Sequence, residues 1–224
     1  MTQGIRIITS GMGNCYLVDI GGGRRILVDT GMSLKRRAVD KELDESGCKP
    51  GELTLIVLTH GDSDHAGNAA FLRAKHGAKI AMHQGDSGMV ERGDMAASRE
   101  RVGRVTRFLF SLPLVRLGKS ARFKPDLYLQ DSQDLSPFGF DARVLHLPGH
   151  TGGSIGILTA AGDLFCGDLL INSENPAVNS LIDDRDAARA SLEKLKRLEI
   201  KTVYPGHGRP FLFQSLFPSP LAEI

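Results

Sequence analysis

Short apolar runs alternate along the chain with glycine-rich turns and with segments of helical periodicity. In the first half, five apolar runs predict strands: "IRIIT", "CYLVDI", "RRILVDTG", "LTLIVLTH" and "AKIAMH". One predicted helix is capped by Ser33 and extends to about Ser46. A second extends from about Ala66 to His76 and ends at Gly77. The pattern therefore predicts a hairpin or meander, followed by alternating helices and strands.

The second half repeats this alternation. We predict strands at "DLYLQ", "DARVLHLP", "SIGILTA", "DLFCGDLL" and "KTVYPGH". A helix precedes the last strand, because Ala188, Leu192, Leu195 and Leu198 share one helical face. Both halves thus contain strands and helices, which predicts an α/β protein. We interpret residues 1–224 as a single domain with a helical, basic insertion at about 85–125.

A dense set of metal-binding side chains follows the most apolar of these runs. Six residues contain two histidines and two aspartates: His60, Asp62, Asp64 and His65. Three later strand ends add candidates beside glycines: "LPGHTGG" around His150, "FCGDLL" around Asp168 and "YPGHG" around His207. Imidazole and carboxylate are ligands of zinc, iron and manganese. Glycine beside a ligand lets the backbone turn sharply, so scattered strand ends can meet at one point.

In this order and context the residues resemble the metallo-β-lactamase fold superfamily. Its signature is His-x-His-x-Asp-His after a strand, then a histidine, a bridging aspartate and a final histidine. Six of the seven positions match, and Asp62 stands where the family has its second histidine. The segment "VDTG" also resembles the family's early aspartate motif. The resemblance covers nearly the whole chain and implies a four-layer αββα sandwich of two mixed β-sheets flanked by helices, with metals at one edge.

The resemblance further implies a site for two divalent metal ions. The positions carried over are His60, Asp62 and His150 for the first metal, Asp64, His65 and His207 for the second, and Asp168 as the bridge. Asp64 and Asp168 are the expected catalytic residues, and Asp29 is expected to orient a ligand. Two such metals share a water and activate it as hydroxide. The implied activity is hydrolysis of an ester-like bond (ester, thioester, lactone, amide or phosphoester) in a small molecule.

Asp62 keeps the metal's identity open. Aspartate in place of histidine changes the ligand charge from −2 to −3, which favours iron or manganese over the otherwise expected zinc. If Asp62 is a ligand, Asp62→His should restore the preference for zinc. If Asp62 is only a turn residue, His60, His150 and Asp168 could form a triad for one iron, as in persulfide dioxygenases. A non-catalytic metal-binding protein is a third interpretation.

The insertion at 85–125 holds nine basic and four acidic residues, a net charge of +5, against +2 for the whole chain. We interpret it as either a surface excursion or a lid over the metals, with Arg101, Arg104 and Phe108 as candidate substrate contacts. Its basic, amphipathic character would also suit a membrane surface or a partner helix. The mild overall charge argues against nucleic acid as a partner.

The remaining features concern location and assembly. Three widely spaced cysteines and a start without signal-peptide character predict a cytoplasmic protein. The apolar segment "FLFQSLF" after Pro210 suggests a surface for a homodimer. Four further side chains match no ligand position, and we interpret them as structural: His76, His83, His146 and Cys166.

Overall fold

A computed structural model describes residues 4–9, 13–97, 99, 112 and 115–217. Its first sheet contains six strands in sequence order: β1 (Ile5–Thr9), β2 (Asn14–Asp19), β3 (Arg25–Val28), β4 (Leu53–Val57), β5 (Lys79–His83) and β6 (Leu127–Leu129). Strands β1 to β3 are antiparallel neighbours, whereas β3 to β6 are parallel. The carboxyl ends of β3, β4 and β5 therefore lie at one edge of the sheet.

The second sheet contains five strands from the second half of the chain: β7 (Ala142–His146), β8 (Ile155–Thr159), β9 (Asp163–Gly167), β12 (Thr202–Pro205) and β13 (Phe211–Leu212). Their spatial order is β13-β12-β9-β8-β7, with β9 and β12 parallel. A separate hairpin pairs β10 (Leu170–Ile171) with β11 (Ala177–Val178). Both main sheets are thus mixed, as the resemblance implies.

The described residues contain five α-helices beside the sheets: α1 (Arg36–Glu45), α2 (Ser63–Ala66), α3 (Ala69–His76), α4 (Gln84–Arg92) and α5 (Arg185–Leu195). Three apolar cores separate the layers. One lies under α1, α3 and α4, one lies between the sheets, and one lies under α5. Alternate residues of β3 show the division, since Ile26 and Val28 face the core between the sheets and Leu27 faces the core under the first helices. The αββα sandwich is therefore confirmed.

The beginning of α1 differs from the prediction. Ser33 does not cap this helix. It opens a 3-10 turn, Ser33–Lys35, and α1 begins at Arg36 without a side-chain cap. The side chain of Asn68 explains the course of the backbone before α1, because its amide donates hydrogen bonds to the carbonyl groups of Thr30 and Met32. These long-range hydrogen bonds set the entry into the helix, and a local capping pattern does not show them.

The apolar segment after Pro210 packs largely on its own chain. Phe211 and Phe213 are buried in the core under α5, while Leu212 and Phe217 remain exposed. Much of the apolar surface from which we predicted a homodimer is therefore covered within the monomer. The homodimer itself stays a prediction.

Candidate metal centre

The candidate ligands lie where strands of both sheets end at one edge. His60 follows β4 after two residues, and Asp64 and His65 lie in the first turn of α2. Asp168 directly follows β9, and His207 follows β12 after one residue. The structure brings all seven sequence-predicted positions together at this edge, although they come from four separate segments of the chain.

The first ligand group is His60, Asp62 and His150, whose candidate ligand atoms lie within 4.8 Å of one another. The Oδ2 atom of Asp62 is 3.0 Å from His150 Nε2 and 3.6 Å from His60 Nε2. The carboxylate of Asp62 therefore reaches both imidazoles, despite its short side chain.

The second group is Asp64, His65 and His207. His207 Nε2 lies 3.3 Å from His65 Nε2 and 3.4 Å from Asp64 Oδ2. The side chains of His207 and Asp64 are 31% and 26% exposed, whereas that of His65 is fully buried. In this ligand group, the side next to His207 and Asp64 is therefore the more exposed to solvent.

Asp168 lies between the two groups. Its Oδ1 atom is 3.3 Å from His65 Nε2, and its Oδ2 atom is 3.2 Å from His207 Nε2. The same Oδ2 atom is 3.8 Å from His150 Nε2 in the first group. One carboxylate thus contacts histidines of both groups, which is the arrangement that a bridging ligand needs.

Three of the four histidines are held through their Nδ1 atoms. His60 Nδ1 is 3.0 Å from the Thr59 hydroxyl, His65 Nδ1 is 3.0 Å from Asp29 Oδ2, and His150 Nδ1 is 2.6 Å from the Leu181 carbonyl oxygen. A metal-binding imidazole commonly donates its second ring N–H in this way, which fixes its orientation and tautomer. The Nε2 atoms are consequently the ones that face the centre.

Asp29 supports both groups at once. Its Oδ1 accepts a hydrogen bond from the Thr59 N–H, and its Oδ2 accepts from the Thr59 hydroxyl and lies against His65 Nδ1. Because the Thr59 hydroxyl also contacts His60 Nδ1, Asp29 reaches His60 through one intermediate. Asp29 has a φ of 60°, a left-handed conformation that aspartate adopts more readily than most residues.

The electrostatics of the centre favour a cation. Burial and the neighbouring His65 and His150 lower the pKa of His60 to about 4, so this imidazole is neutral at pH 7. Hydrogen bonds to Asp168 and Asp64 raise the pKa of His207 to about 9. The carboxylates that favour a proton on His207 favour a divalent cation in the same way.

The donor atoms fit a divalent metal. His60 Nε2 and Asp62 Oδ1 are buried and have no hydrogen-bond partner among the described residues. Buried polar atoms are normally paired, so unpaired atoms at a convergence of imidazoles and carboxylates are those that a cation would satisfy. The nitrogen and oxygen set suits zinc, iron and manganese alike.

Asp86 is a supporting residue that the sequence analysis missed. It is fully buried, and its carboxylate accepts hydrogen bonds from Gly61 N–H (3.0 Å), the Thr151 hydroxyl (2.7 Å) and Gly153 N–H (2.9 Å). These bonds tie the loop that carries His60 to the loop after β7. In the sequence, Asp86 is one of the four acidic residues of the basic insertion, and no local signal marks its role.

Arg99 is the second missed residue. Its Nη2 donates to Asp62 Oδ2 (2.7 Å), and its Nε is 2.9 Å from Asp183 Oδ2. Burial alone would raise the pKa of Asp62, but Arg99 and the hydrogen bond from His150 hold that pKa well below its usual range. The insertion therefore reaches the centre through Arg99. The candidate lid contacts Arg101, Arg104 and Phe108 lie outside the described residues.

None of the four side chains interpreted as structural belongs to a candidate ligand group among the described residues. The rings of His83 and His146 stack on each other, with 4.2 Å between their centroids. The ring of His76 lies near the carbonyl oxygen of Lys49. The thiol of Cys166 is buried, and burial raises its pKa to about 12.

Comparison with known proteins identifies the family. A family model described as the metallo-beta-lactamase superfamily matches residues 8–207. The chain belongs to the metallo-beta-lactamase superfamily. Members of this superfamily are generally hydrolases, and the match covers every candidate ligand.

Relatives and solved structures agree with this membership. The chain is 28% identical over 198 residues to the Beta-lactamase-like protein 2 homolog of Drosophila melanogaster, covering 87% of this chain but only 58% of that protein. It is 30% identical over 167 residues to the hydroxyacylglutathione hydrolase GloC of Haemophilus influenzae, covering 73% of this chain and 69% of that one. The crystal structure of the BLEG-1 B3 metallo-beta-lactamase superposes with a TM-score of 0.72 at 21% identity, covering 95% of both chains. That likeness confirms the fold.

Among the helices in the described part of the chain, none is both long and apolar enough to cross a bilayer.

Proposed function

We propose that this superfamily member is a metal-dependent hydrolase that cleaves an ester-like bond in a small molecule. The observation that carries the proposal is the convergence of two ligand groups, with Asp168 in contact with histidines of both. Two divalent metal ions, zinc in the first instance, would be held there. The first metal would be held by His60, Asp62 and His150, the second by Asp64, His65 and His207, with Asp168 shared.

Metal ions in such a centre supply Lewis acidity and lower the pKa of a water that serves as the nucleophile. The chain's own residues hold the geometry. Asp29 and the Leu181 carbonyl group orient His65 and His150, and Asp86 fixes two of the ligand-bearing loops relative to each other. The exposed side next to His207 and Asp64 admits the substrate.

Thioesters are the substrate class that we propose first. The chain is 30% identical to hydroxyacylglutathione hydrolase GloC of Haemophilus influenzae and 31% identical, over 154 residues, to the hydroxyacylglutathione hydrolase of Shewanella loihica. That name denotes hydrolysis of a glutathione thioester. Esters, lactones, amides and phosphoesters are the other substrate classes to be tested. Three buried free cysteines suit a reducing compartment, so a cytoplasmic location is part of the proposal.

The iron-dependent alternative depended on an Asp62 that fails to reach the centre. In the structure Asp62 Oδ2 lies 3.0 Å from His150 Nε2, so Asp62 reaches the candidate ligands, which supports the two-metal proposal over a triad of His60, His150 and Asp168. The non-catalytic alternative draws no support from the geometry either, because all seven candidate positions are assembled.

Metal analysis and a substrate panel test the proposal. The purified protein should contain close to two metals per chain and hydrolyse a thioester, an ester or another member of the panel. Asp168→Ala and His65→Ala should each lower turnover by at least about 100-fold, because each removes a ligand of the metals that activate the water. Asp131→Ala is the matched control, since Asp131 pairs with Lys194 outside the centre. A metal-free protein, or variants with undiminished turnover, would refute the proposal.

A further inference from the structure

Arg99 makes an unusual contact for an arginine. Its side chain is only 1% exposed, and its guanidinium lies between two carboxylates, those of Asp62 and Asp183. The oxygen of Asp62 that accepts from Arg99 is also the one that lies 3.0 Å from His150 Nε2. A buried cation is thus in direct contact with a candidate metal ligand.

The charges of Asp62 and Arg99 balance, with Asp183 as a third, partly exposed charge on the far side of the guanidinium. Histidine, the residue that the superfamily signature has at position 62, is neutral as a ligand, and aspartate adds one negative charge. Arginine keeps its positive charge at any pH that a protein tolerates, so the Asp62–Arg99 pair is formally neutral. The ligand charge of −3 expected from the sequence then returns to −2 once Arg99 is included.

We propose that Arg99 is a positioning residue that fixes Asp62 and offsets its charge, so that the pair takes the place of a neutral histidine in the metal centre. The inference rests on the proposed metal-dependent function. It also changes the expectation for Asp62→His, which would leave the Arg99 cation buried against an imidazole and a metal instead of simply restoring a zinc site.

Asp183 acts as the anchor of Arg99. Its backbone N–H donates to the Gly149 carbonyl oxygen, beside His150, and the nearby Leu181 carbonyl oxygen lies 2.6 Å from His150 Nδ1. One segment therefore holds both Arg99 and His150. The Asp183 side chain is 18% exposed, so solvent screens its charge more than that of Arg99.

A double substitution separates charge compensation from a merely structural role. Arg99→Met leaves the Asp62 carboxylate buried without the contact that orients it, and Asp62→His leaves the Arg99 cation without its anion. The combination Asp62→His with Arg99→Met removes the charges of Asp62 and Arg99 and gives a neutral ligand with no cation beside it, while the partly exposed Asp183 carboxylate remains. Each single change should therefore weaken zinc binding, and adding the other change should restore it.

The experiment measures zinc per chain and zinc affinity by competition with a chromophoric chelator. Each single variant should bind the first zinc about 10–100-fold more weakly than wild type, the range seen when a ligand's supporting partner is lost. The double variant should return to within about threefold of wild type. Arg122→Met is the matched control, since Arg122 belongs to the same basic insertion and donates to the Leu117 carbonyl oxygen.

Folding is checked by circular dichroism and thermal unfolding of the metal-free variants. If Arg99→Met does not fold, the same comparison is made with Arg99→Gln, alone and combined with Asp62→His. Glutamine keeps a hydrogen-bond donor without the charge. If the double variant binds zinc no more tightly than the weaker-binding single variant, the inference is overturned, while the proposed function stands. A wild type that binds none of zinc, iron and manganese overturns both, and one that binds a single metal without Asp62 overturns the role of Arg99.

Discussion

Asp29→Asn tests how the metal centre is held, because asparagine tolerates the left-handed backbone that Asp29 adopts at a φ of 60°. The substitution replaces one carboxylate oxygen by an amino group. The remaining oxygen can still accept from the Thr59 N–H, but the amino group cannot accept from the Thr59 hydroxyl or from His65. The change therefore removes the acceptor shared by the two ligand groups and spares the backbone.

The expected effect follows from that lost acceptor. Loss of the hydrogen-bond partner of a metal-binding histidine typically lowers metal affinity by about 10–100-fold, or about 1.4–2.7 kcal/mol. We expect zinc to bind Asp29→Asn more weakly by that factor. Asp29→Ala should unfold more easily than Asp29→Asn by a further ~1–2 kcal/mol, because alanine is strained at this φ.

Chelator competition gives the zinc affinities, and urea unfolding of the metal-free proteins gives the stabilities. Zinc affinity of Asp29→Asn within twofold of wild type would refute the orienting role. Equal stability of the asparagine and alanine variants would show that the left-handed backbone is not the reason for aspartate at this position.

Three further outcomes are expected. Asp86→Ala should lower the free energy of unfolding by about 2–6 kcal/mol in urea titrations, because the N–H groups of Gly61 and Gly153 lose their buried acceptor. A loss below about 1 kcal/mol would contradict this. Removing metal with EDTA should lower the melting temperature, and zinc should restore it, since a ligand that binds the folded state stabilises it; an unchanged melting temperature would speak against metal binding. A thiol reagent at pH 8 should modify Cys166 only after unfolding, because the thiol is buried with a pKa raised to about 12; rapid labelling of the native protein would contradict its burial.

The positions of the candidate ligands could be predicted because two local signals coincide there. An apolar run such as "LTLIVLTH" marks a buried strand, and a histidine or aspartate just beyond it lies at the sheet edge. Glycines beside His150, Asp168 and His207 mark the turns. The order of these motifs then allowed the family, and hence the fold, to be predicted.

The supporting residues could not be predicted because their roles depend on contacts that the sequence pattern does not show. Arg99 is one of nine basic residues in its insertion, and only the fold places it against Asp62, 37 residues away. Asp86 lies in the first turn of α4, where acidic residues are favoured, yet its partners lie up to 67 residues away. The short strands β11 and β13 were not predicted, and β10 was joined to β9 in the run "DLFCGDLL", for a different reason: two residues carry no readable periodicity.

The separation of the ligands along the chain has a consequence for biosynthesis. Asp62 and His150 are 88 residues apart, and His65 and His207 are 142 residues apart. At roughly 5–20 residues per second, a ribosome needs about 7–28 s to make the chain between His65 and His207. During that time four candidate ligands have been translated before the partners that would complete their sites. On the proposed function, the nascent chain would be exposed to capture of the wrong ion, and correct metallation would be an event of the finished fold.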